Sequence, residues 1–377
     1  MAEKFFSNKK TNIRIVIVVL VFIIFSVFLY NFNNFEKSEL VNQQGNSFNK
    51  AVVQSIVKDN IQEDGSRIGT QKVNLKISSG EFKGKIIEAT SNSGYLYGAD
   101  CTVGMRVIAK ISVAKDNITA SVYSYDRSFM IYAFVAFFLI SIWVIGGKNG
   151  FKSAIGLIFT FICIIFLFIP MLYKGYSPFF SAVIIVILTT VVTMYLIGGF
   201  TKKTLSAILG TVIGVIFSGI FASVFGHFAK ISGYNVSDIE DLVFISSQTD
   251  LKIGGLLFAG ILIASLGAVM DVSMSIASTI NEINEKSPDL TRKELFKSGI
   301  NVGRDMMGTT SNTLILAFTG GAISTLITFY SYNMHYNQVI NMYSIGIEIM
   351  QGISGSLAVI YTVPLVSFIS AVLLKKK

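Results

Sequence analysis

Residues 253–283 read IGGLLFAGILIASLGAVMDVSMSIASTINEI. The run 253–271 has the apolarity and length of a membrane span, near the ~20 residues that cross a bilayer core. Yet Asp271, Asn281 and Glu282 follow with no break signal before them. At 100° per residue, Asp271, Ser275, Ser278 and Glu282 fall on one narrow stripe. Val269, Val272, Ile276, Ile280 and Ile283 fall on the other side. The helix therefore continues past Asp271 as an amphipathic one. Straight, it is roughly 45 Å long, more than the hydrocarbon core, so its end projects into the cytoplasm or bends at the surface.

The rest of the chain has the same character. Of 377 residues, 52% are hydrophobic and 14% charged, where soluble domains are nearer a quarter charged. Apolar runs place spans at about 13–30, 129–147, 152–173, 178–199, 204–226, 253–271, 309–330 and 347–374. The first is long for a signal peptide and lacks a small-residue cleavage site after it, so it reads as an uncleaved anchor. The expected fold is a polytopic α-helical membrane protein of about eight transmembrane helices. A small all-β, OB-like extracytoplasmic domain lies between the first and second.

Charge orients this arrangement. Sixteen Lys and Arg fall on one side of an eight-span path: four at the N-terminus, Lys148, Lys152, Lys202, Lys203, five in 272–308 and the final KKK. The opposite short connections hold Lys174, Lys230 and Lys252. This positive-inside pattern puts both termini in the cytoplasm, in the plasma membrane, with residues 31–128 outside. It also accounts for the net charge of +9, so no nucleic-acid partner is expected.

Residues 31–128 are patterned differently. In QKVNLKI (71–77), Val73, Leu75 and Ile77 alternate with Lys72, Asn74 and Lys76. AVVQSIV (51–57), GKIIEAT, GMRVIAKI and NITASVYS are further short strands between Gly, Ser and Asn. About five strands in this length form a small barrel or sandwich. The segment has no His, paired Cys or clustered acids, which points to binding or docking and not to chemistry.

After SPDL, Thr291 with Glu294 is a capping-box pattern that opens a helix into the seventh span. Asn301, Asp305, Gly308 and Asn312 form its polar stripe, with Arg304 alongside. Charges facing lipid are costly, so three readings stand. The stripes line a pathway or pocket, with Asp271 and Asp305 binding a cation, a proton or a cationic group. Alternatively Arg304 pairs with Asp271 or Asp305 as a structural clasp. In the third, they are simply solvated at the interface.

Other residues carry less. Glu348 opens the last span with Gln351 one turn on, near the outer surface. Asp238, Glu240, Asp241 and Asp250 read as a solvated loop. Ser206, Gly210, Gly214 and Ser218 have the small-residue spacing of close helix packing, and Pro364 permits a kink. Cys101 and Cys163 read as packing residues. His227 and His335 neighbour no Ser or Cys motif, and no metalloprotease, Walker or nucleophile-elbow pattern occurs. Neither an enzyme nor a cofactor is expected.

The paired signature Asp271, Ser275, Ala277–Ser278, Glu282, then Gly299, Gly303–Arg304–Asp305, Asn312–Thr313–Leu314 and Gly320 resembles the bacterial YibE/F family of multi-spanning membrane proteins. The segment EIMQGISGS also fits, and the resemblance covers about 129–374. It departs at TGGAIS, where a more Leu-Pro-rich ending is the family's pattern. The resemblance implies a YibE-type member with an outer β domain, and a domain-less YibF-like membrane partner or a homo-oligomer besides the bilayer.

The resulting expectation is a membrane transport protein moving a small solute or ion through a polar cavity between the sixth and seventh spans. The alternative is a non-transporting scaffold or accessory protein whose outer β domain docks an envelope partner.

Overall fold

The computed structural model describes residues 9–37, 40, 44–63, 65, 67–92, 94, 97–114, 117–236 and 239–375. The chain divides into two units, Glu39–Ser141 and Met1–Ser38 with Ile142–Lys377.

The first unit holds β1 (Asn46–Lys58), β2 (Thr70–Ile77), β3 (Ile86–Asn92), β4 (Arg106–Ala114) and β5 (Asn117–Tyr125), closed as a barrel in the order β1-β2-β3-β5-β4. β3 and β5 run parallel and the other neighbours antiparallel. Period-2 patterning explains the register: Val73, Leu75 and Ile77 are fully buried, packed with Val53, Val107, Ala109 and Ile111. β1 pairs with β4 through its first half and β2 through its second. Irregularities after Val53 and Ile56 bend it enough to serve both. All five expected strands are present.

Buried polar groups in the barrel are paired. The Gln71 amide donates to Asp59 Oδ1 (2.9 Å) and accepts from the Cys101 amide (2.8 Å). Arg67 also reaches Asp59 at 2.9 Å. Chiefly through the Gln71 hydrogen bond, the Asp59 carboxyl is held below its ordinary range. Burial pushes the Cys101 thiol up.

The helical elements are α1 (Lys9–Asn33), α2 (Ser128–Cys163), a π-helical turn at Ile164–Phe168, α3 (Ile169–Tyr173), α4 (Pro178–Gly198), α5 (Lys202–Ala229), α6 (Ile239–Gln248), α7 (Leu256–Lys286), α8 (Arg292–Gly321), α9 (Ile323–Ser331), α10 (Tyr336–Ile340) and α11 (Tyr343–Leu374). Among the described residues, five stretches are long and apolar enough to span a membrane, or six if α8 and α9 together form one.

Among the described residues this count and the eight expected spans differ at three places. The expected first span lies in α1, of which the described apolar part is only Phe22–Asn33. The second and third belong to one helical stretch, Ser128–Tyr173. It is interrupted at Gly147, whose φ of 55° and ψ of −133° are open to glycine and strained for other residues. The rings of Trp143 and Phe151 lie 5.6 Å apart, and a Cβ on Gly150 would overlap the Ile142 carbonyl. Eight residues of straight helix would separate such groups by roughly 12 Å, so the chain turns back sharply there. The seventh expected span, 309–330, is broken: α8 and α9 meet at a 59° bend. That break falls in TGGAIS.

α11 lies against α5 on one side and α8 on another. A Cβ on Gly210 or Gly214 would overlap Val366 or Thr362, and one on Gly303 would overlap Val363. A Cβ on Gly299 would stand 2.6 Å from both Ser367 Oγ and Ile280 Cδ1. Ser206 and Ser218 are buried with the α5 glycines, as the spacing predicts. α7 contributes Val269, Val272, Ile276 and Ile280 to the shared core.

Two outcomes are expected from these contacts. Gly303→Ala should destabilise the purified protein by roughly 1–3 kcal/mol through overpacking. Gly267→Ala, where nothing lies within 4 Å, should be neutral or stabilising by up to about 1 kcal/mol; denaturation in detergent measures both. In the barrel, Asp59 has a lowered folded pKa, so its contribution is present above the unfolded value, about 4, and fades as pH falls through the folded one. Melting temperature should therefore drop more steeply below that pH in wild type than in Asp59→Asn.

Candidate functional site

The polar stripes sit on α7 and α8 as their periodicity predicts. α7 runs unbroken through Asp271 to Lys286. Its last turns are held by Glu282–Lys286 (2.8 Å) and by Asn281 donating to Glu285 (2.7 Å). α8 opens with the expected capping box: Thr291 Oγ1 accepts from the Glu294 amide, and Glu294 Oε2 accepts from the Thr291 amide at 2.7 Å.

The structure does not bring the two stripes together. α8 meets α7 through Gly299 and Gly303 against Ile280 and Ile276. Asn301, Asp305, Gly308 and Asn312 lie within roughly 40° of the direction opposite Gly303. Asp271, Ser275, Ser278 and Glu282 lie roughly 100–160° round α7 from Ile276. Asp271, Glu282, Asn301, Arg304, Asp305 and Asn312 are exposed, and Ser275 and Ser278 half-buried. The expected cavity shared by the sixth and seventh spans is thus not formed by this chain alone. A helix has one face for packing, and both helices spend it on apolar and glycine contacts.

The clasp is also absent. Among the described residues, Arg304 forms no ion pair with Asp271 or Asp305. Glu282 pairs with Lys286 of its own helix, an exposed i,i+4 pair.

A second polar feature lies at the break between α8 and α9. Glu348, on the second turn of α11, stands where two clefts of about 330 Å³ each adjoin. Sequence reading noticed Glu348 and Gln351 but not the cleft. The signal was the coincidence of this acid with the glycine-rich TGGAIS, two segments that only the fold juxtaposes.

The remaining candidates stay apart. Asp238 lies outside the described residues. Glu240 and Asp241 are on α6, and Asp250 lies against Gly175. Among the described residues no three His, Cys, Asp or Glu side chains are grouped to hold a metal. Cys101 and Cys163 are both free and buried.

A family model described as "YibE/F-like protein" matches residues 134–376. No curated protein and no solved structure matches the chain.

Because Arg304 holds no ion-pair or hydrogen-bond partner among the described residues, Arg304→Ala should change stability in detergent by no more than about 0.5 kcal/mol, the range of surface substitutions. A structural clasp would instead cost several times that in a denaturant titration.

Proposed function

The chain belongs to the YibE/F-like family, and from that premise we propose that it is a membrane transport protein for a small solute or ion. One observation carries this reading: α7 and α8 each turn a stripe of ionisable and amide side chains away from the chain's own core. Charged groups in membrane helices face protein or water, since facing lipid costs a few kcal/mol each. A second subunit, either another copy or a domain-less YibF-like relative, would cover the stripes and complete a polar pathway. Asp271 and Asp305 would then be its cation-attracting groups, and Ser275, Ser278, Asn301 and Asn312 its neutral ones.

In this reading the Lys- and Arg-rich ends and the 272–308 segment face the cytoplasm of a bacterial plasma membrane. The barrel is then extracytoplasmic. Its strand order, with β3 beside β5 in parallel, supports an OB-like type. A second reading, an accessory protein whose barrel docks an envelope partner, is favoured by an exposed aromatic trio. Phe48, Tyr97 and Tyr123 have ring centroids 5.1 and 6.3 Å apart along the chain of contacts.

The test is flux in proteoliposomes against a panel of labelled ions and small metabolites. Asp271→Asn and Asp305→Asn should each lower flux at least about tenfold, with melting temperature unchanged. Wild-type flux in both variants overturns the reading. Loss of cellular function on deleting 40–125, with the Asp variants fully active, favours the docking alternative.

A further inference from the structure

The two clefts at Glu348 differ in chemistry. One is walled by Ile315 and Phe318 of α8, Leu326 of α9, and Ile345 and Ile349 of α11. The other presents Asn235, Thr325, Ser344 and Gln351. Ala322, at the break, and Glu348 belong to both. Glu348 is half-buried and has no hydrogen-bond or ion-pair partner among the described residues.

The fixed electrostatics of this place are negative. Among the described residues, no Lys, Arg or His lines either cleft. The last turn of α8, with Phe318 and Thr319, forms part of the wall. A helix C-terminus carries the equivalent of roughly −0.5 charge. A carboxylate beside it, against aliphatic walls, lacks its counter-charge, and an unpaired buried charge is costly.

An inorganic cation suits the site poorly. A hard divalent ion takes about six to eight oxygens, and one half of this space supplies only apolar surface. An ammonium group suits it well: its three N–H donors match the acceptors that Glu348, Gln351 and Ser344 offer in the lining of one cleft. An attached alkyl or aryl group enters the side of Phe318 and Ile349. Each compartment falls within the range of small-molecule pockets, about 300–1,000 Å³.

We infer that the break between α8 and α9 forms, with Glu348 of α11, a binding site for an organic ammonium ion carrying an apolar substituent. The same chemistry is found in free alkylamines and in the ethanolamine headgroup of a lipid. The site shares no residue with the α7 and α8 stripes, so it stands or falls apart from the pathway.

The experiment is thermal unfolding of the full-length protein in phosphatidylcholine nanodiscs, titrated with hexylammonium, 1-hexanol or hexanoate, with empty discs as a partition control. Hexylammonium alone should raise the melting temperature saturably, as a ligand of the folded state does. Glu348→Gln should weaken its Kd at least about tenfold, while Asp271→Asn and Asp305→Asn keep the shift. Ser344→Lys is a second probe. It supplies an ammonium one turn before Glu348 on an exposed position and should abolish the response without loss of basal stability. Discs containing ethanolamine lipid separate the sources. A higher basal melting temperature, lost in Glu348→Gln, assigns the site to the headgroup. No change there, with hexylammonium still binding, assigns it to a free amine. Equal responses to hexylammonium and 1-hexanol in wild type, or an undiminished response in Ser344→Lys, overturn the inference.

Discussion

Glycine brings α5 and α8 close enough to α11 to hold the helical unit together. In lipid there is no hydrophobic drive between helices, so association rests on close van der Waals packing. Gly210 and Gly214 place the α5 backbone against Thr362 and Val366, while Gly299 and Gly303 place that of α8 against Val363 and Ser367. Both contacts fall on the same few turns of α11, around Pro364. A proline there removes one backbone hydrogen bond, yet α11 continues to Leu374. Thr362 and Ser367 donate their hydroxyls to the Ala358 and Val363 carbonyls, each at 2.7 Å, so neither carries an unmet donor into the interface.

That packing decides where polar groups go. α8 has a glycine face and a polar face, and once the first is committed to α11 and α7, the second is turned outward. α7 does the same with Ile276 and Ile280 inside and Asp271 and Glu282 outside. The membrane half of the molecule thus presents on its periphery the residues that cost most in lipid.

Much of this was legible because periodicity reports faces. Val73, Leu75 and Ile77 are the barrel interior, Ser206 to Ser218 the helix seam, and Thr291 with Glu294 the start of α8. Periodicity does not say which neighbour a face meets. The two stripes lie along α7 and α8, but a shared cavity required them to face one another, and the glycines of α8 took that place. Hydropathy reports apolar runs and not their geometry: the expected boundary between 147 and 152 falls at the Gly147 turn, whereas the bend after Gly321 lies inside the expected 309–330. The TGGAIS departure marked that bend as an irregularity, without revealing that Glu348 lies beside it.

The contrast between Glu348 and the stripe carboxylates then follows from geometry. Asp271 and Asp305 lie on continuous helix, whose backbone groups are satisfied internally, so they act only through their side chains. Glu348 faces a broken helix, where the Ala322 N–H is shared between the carbonyls of Phe318 (3.1 Å) and Thr319 (3.2 Å). Shared so thinly, those carbonyls retain acceptor capacity, and their dipoles add to the carboxylate. Irregular backbone at membrane depth is tolerated where it is buried in protein or lines a cavity, and here it lines one. The break, the acid and a lining that, among the described residues, holds no basic side chain act in the same direction. Their combined field favours a cation.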